Sequence, residues 1–197
     1  SITDFVVRQV AKDIPKLRMH GFTGKVSINI SANDFMRANL VDSLLALLKP
    51  YNIDTSDIEL EITEGAFISD FNHCILLLTA LRDAGFALSI DDFGTGYSSL
   101  SYLQSFPFDR IKIDQSFVRF AEQPQSAAII RAVIGLGRSL NLPVTAEGVE
   151  VEDQLRFLAD ENCDEVQGYL IGKPAPIDQY SQYVGRHHTQ SSSEKQL

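Results

Sequence analysis

Residues Ile58–Thr63 read IELEIT, a strict alternation of apolar and polar side chains. In an extended strand successive side chains point to opposite faces, so Ile58, Leu60 and Ile62 share one face and Glu59, Glu61 and Thr63 the other. The same division runs through Val26–Ser31 (VSINIS), where Val26, Ile28 and Ile30 oppose Ser27, Asn29 and Ser31. Further along, Asp91 extends the face of Ala87 and Ser89, while Lys112 and Asp114 oppose Ile111 and Ile113. A sheet covered by helices on both sides has near-continuous apolar strands. Strands with one polar face fit a barrel wrapped outside by helices, with a lumen that is polar near its mouth. The expected fold is therefore α/β, a TIM-like (β/α) barrel.

Working outward, the pattern predicts strands over Lys25–Ser31, Ile58–Thr63, Phe86–Asp91, Arg110–Asp114, Pro143–Glu147 and Glu165–Tyr169. Helical periodicity fills Ile2–Met19, Asn33–Leu48, Asp70–Ala84, Gln123–Leu140 and Glu150–Ala159. Gly85 reads as a helix stop, Pro143 as a strand opener, and Asn162 with Asp164 as a turn. Repeated strand and helix units of this kind build a parallel sheet. Six strands do not close an eight-stranded barrel. The chain therefore either forms an unusual smaller barrel or lacks its first elements, and because it opens directly on a helical pattern the second is the expectation. One domain is expected over residues 1–184, followed by a polar tail over 185–197 that is too poor in apolar residues to fold.

The 197 residues carry a formal charge of −9, with a pI near 4.8. Such a surface argues against DNA or RNA partners, whose backbones call for basic patches. No run of eighteen apolar residues occurs and Ser1–Val10 has no signal-peptide pattern, so a soluble, cytoplasmic domain without membrane contact is expected. Cys74 and Cys163 are far apart and form neither a disulfide framework nor a zinc motif.

Polar residues gather where the strands end: Asn29, Glu61 with Glu64, Asp91 with Asp92, Lys112 with Asp114, Glu147 with Glu150, and Gln167. In parallel βα folds that edge carries the active site. Clustered carboxylates repel by about 4 kcal/mol per pair at about 4 Å and an effective dielectric near 20. A divalent cation relieves this, and all-oxygen ligands select Mg²⁺, Mn²⁺ or Ca²⁺ over zinc. His20, His73, His187 and His188 all fall in helix, turn or tail, which disfavours a histidine-based hydrolase. The adjacent Asp91 and Asp92 can turn to either side of the strand end and bridge two cations, the usual device for in-line attack on phosphorus. After them, FGTGYSSL (Phe93–Leu100) reads as a mobile loop with Gly94 and Gly96 as hinges, or more weakly as a phosphate cradle.

In order and spacing, VSINIS (Val26–Ser31), ELEITE (Glu59–Glu64), IDDFGTGYSSL (Ile90–Leu100), FDRIKID (Phe108–Asp114), VTAEGVE (Val144–Glu150) and VQGYLIGKPAP (Val166–Pro176) resemble the EAL-type cyclic-di-GMP phosphodiesterase domains of bacteria. The resemblance covers nearly all of Ile2–Tyr183. It implies hydrolysis of cyclic di-GMP to linear pGpG with two Mg²⁺ or Mn²⁺ ions. By the family pattern Asn29, Glu61 and Asp91 hold the first ion, and Asp92, Asp91 and Glu147 the second. Lys112 positions the attacking water, with Glu147 a candidate base; Glu64 anchors the loop; Asp114, Glu150 and Gln167 complete the pocket. A homodimer and an upstream sensory or cyclase domain are further implications. The Glu-Ala-Leu tripeptide that names the family does not precede Asn29, which leaves as alternative a catalytically impaired module that binds cyclic di-GMP or a partner. Apart from the resemblance, an enolase-type barrel with Lys112 as base is a weaker fit, because no capping domain is evident.

Overall fold

In the computed structural model, described for residues 1–67, 70–95 and 100–182, six parallel strands form one sheet whose spatial order is the chain order. They are β1 (Val26–Ile30), β2 (Ile58–Thr63), β3 (Ala87–Phe93), β4 (Arg110–Ile113), β5 (Val144–Ala146) and β6 (Glu165–Val166). The helices are α1 (Ile2–Met19), α2 (Ala32–Phe35), α3 (Leu40–Leu48), α4 (Phe71–Asp83), α5 (Leu100–Ser105), α6 (Gln115–Arg119), α7 (Pro124–Leu140) and α8 (Glu152–Asp160). Among the described residues β1 and β6 are the sheet's edges, and no helix is long and apolar enough to cross a membrane.

The apolar strand faces meet the helices. Ile28, Ile30, Ile58, Leu60, Ile62, Leu88, Ile90, Ile111, Ile113 and Val144 are all buried in one core, together with the inward stripes of the helices. On α3 that stripe is Leu40, Leu44 and Leu48; on α7 it is Ala127, Ile130, Val133, Ile134 and Gly137. Burial of these side chains is the main term holding helices to sheet. Phe35, Phe67, Phe106 and Phe108 pack edge to face with ring centroids 5.2 to 6.0 Å apart, locking α2 and the turn after β2 to the segment leading into β4.

Helix ends follow local chemistry. Asp70 accepts from His73 N–H at the start of α4, Pro124 occupies the first turn of α7, and left-handed Asn141 ends it. The helix expected over Asn33–Leu48 is two. Its first turn is capped by Ser31, and the chain breaks at Met36–Asn39 before restarting as α3. Arg37 lies in the break and pairs with Asp34 three residues back and with Asp4 on α1, the second a tertiary contact. The expected strand Glu165–Tyr169 is only two residues long. Gly168 lies against the backbone of Val149, where an added Cβ would come within 2.2 Å of main-chain atoms, so the chain turns across the preceding loop instead of continuing the ladder. The tail expected over 185–197 falls outside the described residues.

Candidate metal centre

The polar strand faces line the lumen in two tiers. In register, Asn29 stands beside Glu61, Glu61 beside Ser89, and Lys112 beside Thr145. The lower tier is an ion-pair network that the strand-end survey passed over. Arg110 pairs with Glu59 at 3.3 Å and Glu165 at 2.6 Å, and donates to Thr145 Oγ1 at 2.8 Å. Period-two counting back from Glu61, Lys112, Glu147 and Gln167 leads to these same four residues, so the signal was present in the alternation.

Above it, β3 departs from regular pairing. Ile90 opposes Ile111 and Phe93 opposes Ile113, so two residues, Asp91 and Asp92, face the single Lys112. This is a β-bulge, and Asp92 takes φ +54, a left-handed conformation that Asp tolerates better than most residues. Regular alternation would send the two carboxylates to opposite faces. The bulge instead brings a carboxylate oxygen from each of Asp91, Asp92 and Glu147 within 4.8 Å of one another. Asp91, Asp92 and Glu147, the three residues expected to share one ion, are thus brought together.

Lys112 joins the remaining acid. Its ammonium, on a residue 3% exposed, pairs with Glu61 Oε1 at 2.6 Å, Glu147 Oε1 at 2.5 Å and Asp91 Oδ1 at 3.7 Å. Burial would discharge the lysine, yet the charges of Glu61 and Glu147 and their hydrogen bonds outweigh it and raise its pKa. For Glu147 burial wins over Lys112, and its carboxyl lies above the usual range. Burial, a hydrogen bond shared with Asp114, and repulsion from Asp91, Asp114 and Glu147 push Asp92 up to about 6. Asp114 is lowered: burial opposes, but the Ser116 hydroxyl and N–H both donate to it.

Asn29 is exposed on the edge strand. Glu64 is 5% exposed and opens the 3₁₀ turn Glu64–Phe67, with neither carboxylate oxygen hydrogen-bonded among the described residues. Gln167 lines the open side of the lumen, and its main chain bonds to Ala146 and Val149. Glu150 is exposed, and its N–H donates to Gln154 at the start of α8. Gly94 has φ +98 and its missing Cβ leaves room for the Phe117 ring; with Thr95 bonded back to Asp92 it forms a tight turn after the bulge. Gly96 and the loop tip over 96–99 lie outside the described residues.

An all-oxygen donor set at this spacing suits a hard divalent cation. The EAL domain family matches residues 1–174. This chain belongs to the EAL domain family. Its similarity to cyclic di-GMP phosphodiesterase NbdA of Pseudomonas aeruginosa is 39% identity over 185 residues, 93% of this chain and 24% of that protein. The solved PaMucR phosphodiesterase, in complex with c-di-GMP, superposes with a TM-score of 0.85 at 39% identity, covering 90% of this chain and 73% of that one. BlrP1 of Klebsiella pneumoniae, solved as a manganese and cyclic-diGMP complex, gives a TM-score of 0.75 at 30% identity over 87% of this chain and 44% of that one. These EAL structures establish the TIM-like barrel architecture for the chain. The chain spans about a fifth to a third of the length of the curated relatives it matches.

Proposed function

We propose that this EAL domain hydrolyses cyclic di-GMP to linear pGpG with Mg²⁺ or Mn²⁺. The observation that carries the reading is the cluster of Asp91, Asp92 and Glu147 at the barrel mouth, with Lys112 reaching across to Glu61. Asn29, Glu61 and Asp91 would hold one ion, and Asp91, Asp92 and Glu147 a second. When bound, they would neutralise the carboxylates, lower the pKa of the attacking water and offset charge on the phosphoryl oxygens.

The chain's own residues supply the remaining parts. Lys112 directs its ammonium toward the space between Glu61 and Glu147, where it can orient a water for in-line attack. Glu147, which borders that space, serves as base for the proton that water gives up as a P–O bond forms, while the opposite ester oxygen leaves with the bonding electrons and takes a proton from solvent. Asp114 holds Asp92 through their shared hydrogen bond, Glu64 anchors the loop that follows β3, and Asp114, Glu150 and Gln167 complete the substrate wall. The domain boundary at residue 184, a homodimer, and further sensory or cyclase domains belong to the same proposal; the partial coverage of the relatives supports the last.

The test is chromatographic: cyclic di-GMP and Mn²⁺ are incubated with the chain, and with Asp92→Asn. Linear product is expected from the native sequence, reduced about a hundredfold or more in the variant. Nucleotide binding without product would favour a recognition module, and native rates in Asp92→Asn would remove Asp92 from the site.

A further inference from the structure

Lys112 and a divalent cation would draw on the same carboxylates. The ammonium comes from the interior of β4 and contacts acids on β2, β3 and β5, so the positive charge is tethered in the lumen by the chain itself. Asp91 and Glu147 among these partners also belong to the three-carboxylate cluster. Two cations drawn to the same carboxylates repel, so each weakens the other's hold. Removing one partner of a buried pair leaves the other's charge uncompensated, which makes the acids seek another cation.

We propose that Lys112 is a tethered counter-ion that competes with the divalent cation and thereby sets the metal affinity of the site. This rests on the metal-site reading above. Entry of the ion requires the ammonium to loosen its hold on Glu61 and Glu147. Occupancy then follows the free metal concentration, because every binding event is opposed by a resident charge. Lys112 thus has a thermodynamic role separate from orienting water.

Isothermal titration of Mn²⁺ into the chain, Lys112→Met and Lys112→Arg reads the effect without any substrate. Lys112→Met is expected to bind Mn²⁺ at least about tenfold tighter, the equivalent of about 1.4 kcal/mol, and Lys112→Arg near the native affinity. Equal or weaker binding by Lys112→Met overturns the competition while leaving the metal site standing. Failure of all three proteins to bind Mn²⁺, or native binding that Asp91→Asn and Glu147→Gln do not weaken, overturns both readings. Should Lys112→Met fail to fold, the native chain decides. In ¹⁵N spectra of lysine side chains, the ammonium signal that disappears in Lys112→Arg is expected to shift as Mg²⁺ saturates the site. A signal unmoved at saturation overturns the proposal.

Discussion

At the residue scale, the Asp91 and Asp92 pair shows where sequence patterning stops. Alternation placed Glu61, Ser89, Asp91 and Lys112 on one polar face, and all four are buried in the lumen. It could not place Asp92, because the bulge that turns this residue inward is a pairing property of β3 against β4 and of a left-handed φ. The crowding has a pH signature. Asp92 holds its proton more tightly in the fold, at about 6, than at the ordinary 3.8. Between those values the folded state binds more protons than the unfolded one, so stability falls as pH rises through the window and levels off above about 6. Glu147, also raised, adds to that slope, whereas lowered Asp114 acts below it. Urea unfolding in a chelating buffer from pH 4 to pH 7 is expected to trace this decline. Asp92→Asn should flatten it, and an unchanged slope would assign the effect to other groups.

At the element scale, long periodic helices were legible and short connections were not. Ile2–Met19 is helical over the whole expected range because its apolar stripe, with Val7, Ala11, Ile14 and Leu17 buried, is continuous. At the break between α2 and α3, Arg37 pairs with Asp4 of α1, a tertiary contact that no local pattern records. Strand starts share another device hidden in the sequence. Asp109, just before β4, accepts from Leu88 N–H of β3 at 2.9 Å, and Asp164, just before β6, accepts from Val144 N–H of β5 at 2.8 Å. Each satisfies a backbone donor at the start of the preceding strand. Where β6 ends, Gly168 allows the Gln167 main chain to bond with Val149 and Ala146. Gly168→Ala is expected to destabilise the fold by about 3 kcal/mol, because a Cβ there meets backbone and not a movable side chain. Thermal unfolding measures this, and a loss well under 1 kcal/mol would show that the loop yields.

At the scale of the whole molecule, two tiers of charge tie the strands together across the lumen. Arg110 links β4 to Glu59 on β2, Thr145 on β5 and Glu165 on β6. Arg110→Ala would leave buried Glu59 without its counter-charge, at an expected cost of about 3 kcal/mol. The denaturation midpoint should fall accordingly, and Glu59→Gln combined with Arg110→Ala should recover part of the loss. Barrel class was legible from the polar faces because a lumen imposes period two on every strand at once. Spatial order matching chain order has a further consequence for synthesis on the ribosome. Each of β2 to β6 docks on the strand made just before it, so this stretch of sheet can grow strand by strand as the polypeptide emerges.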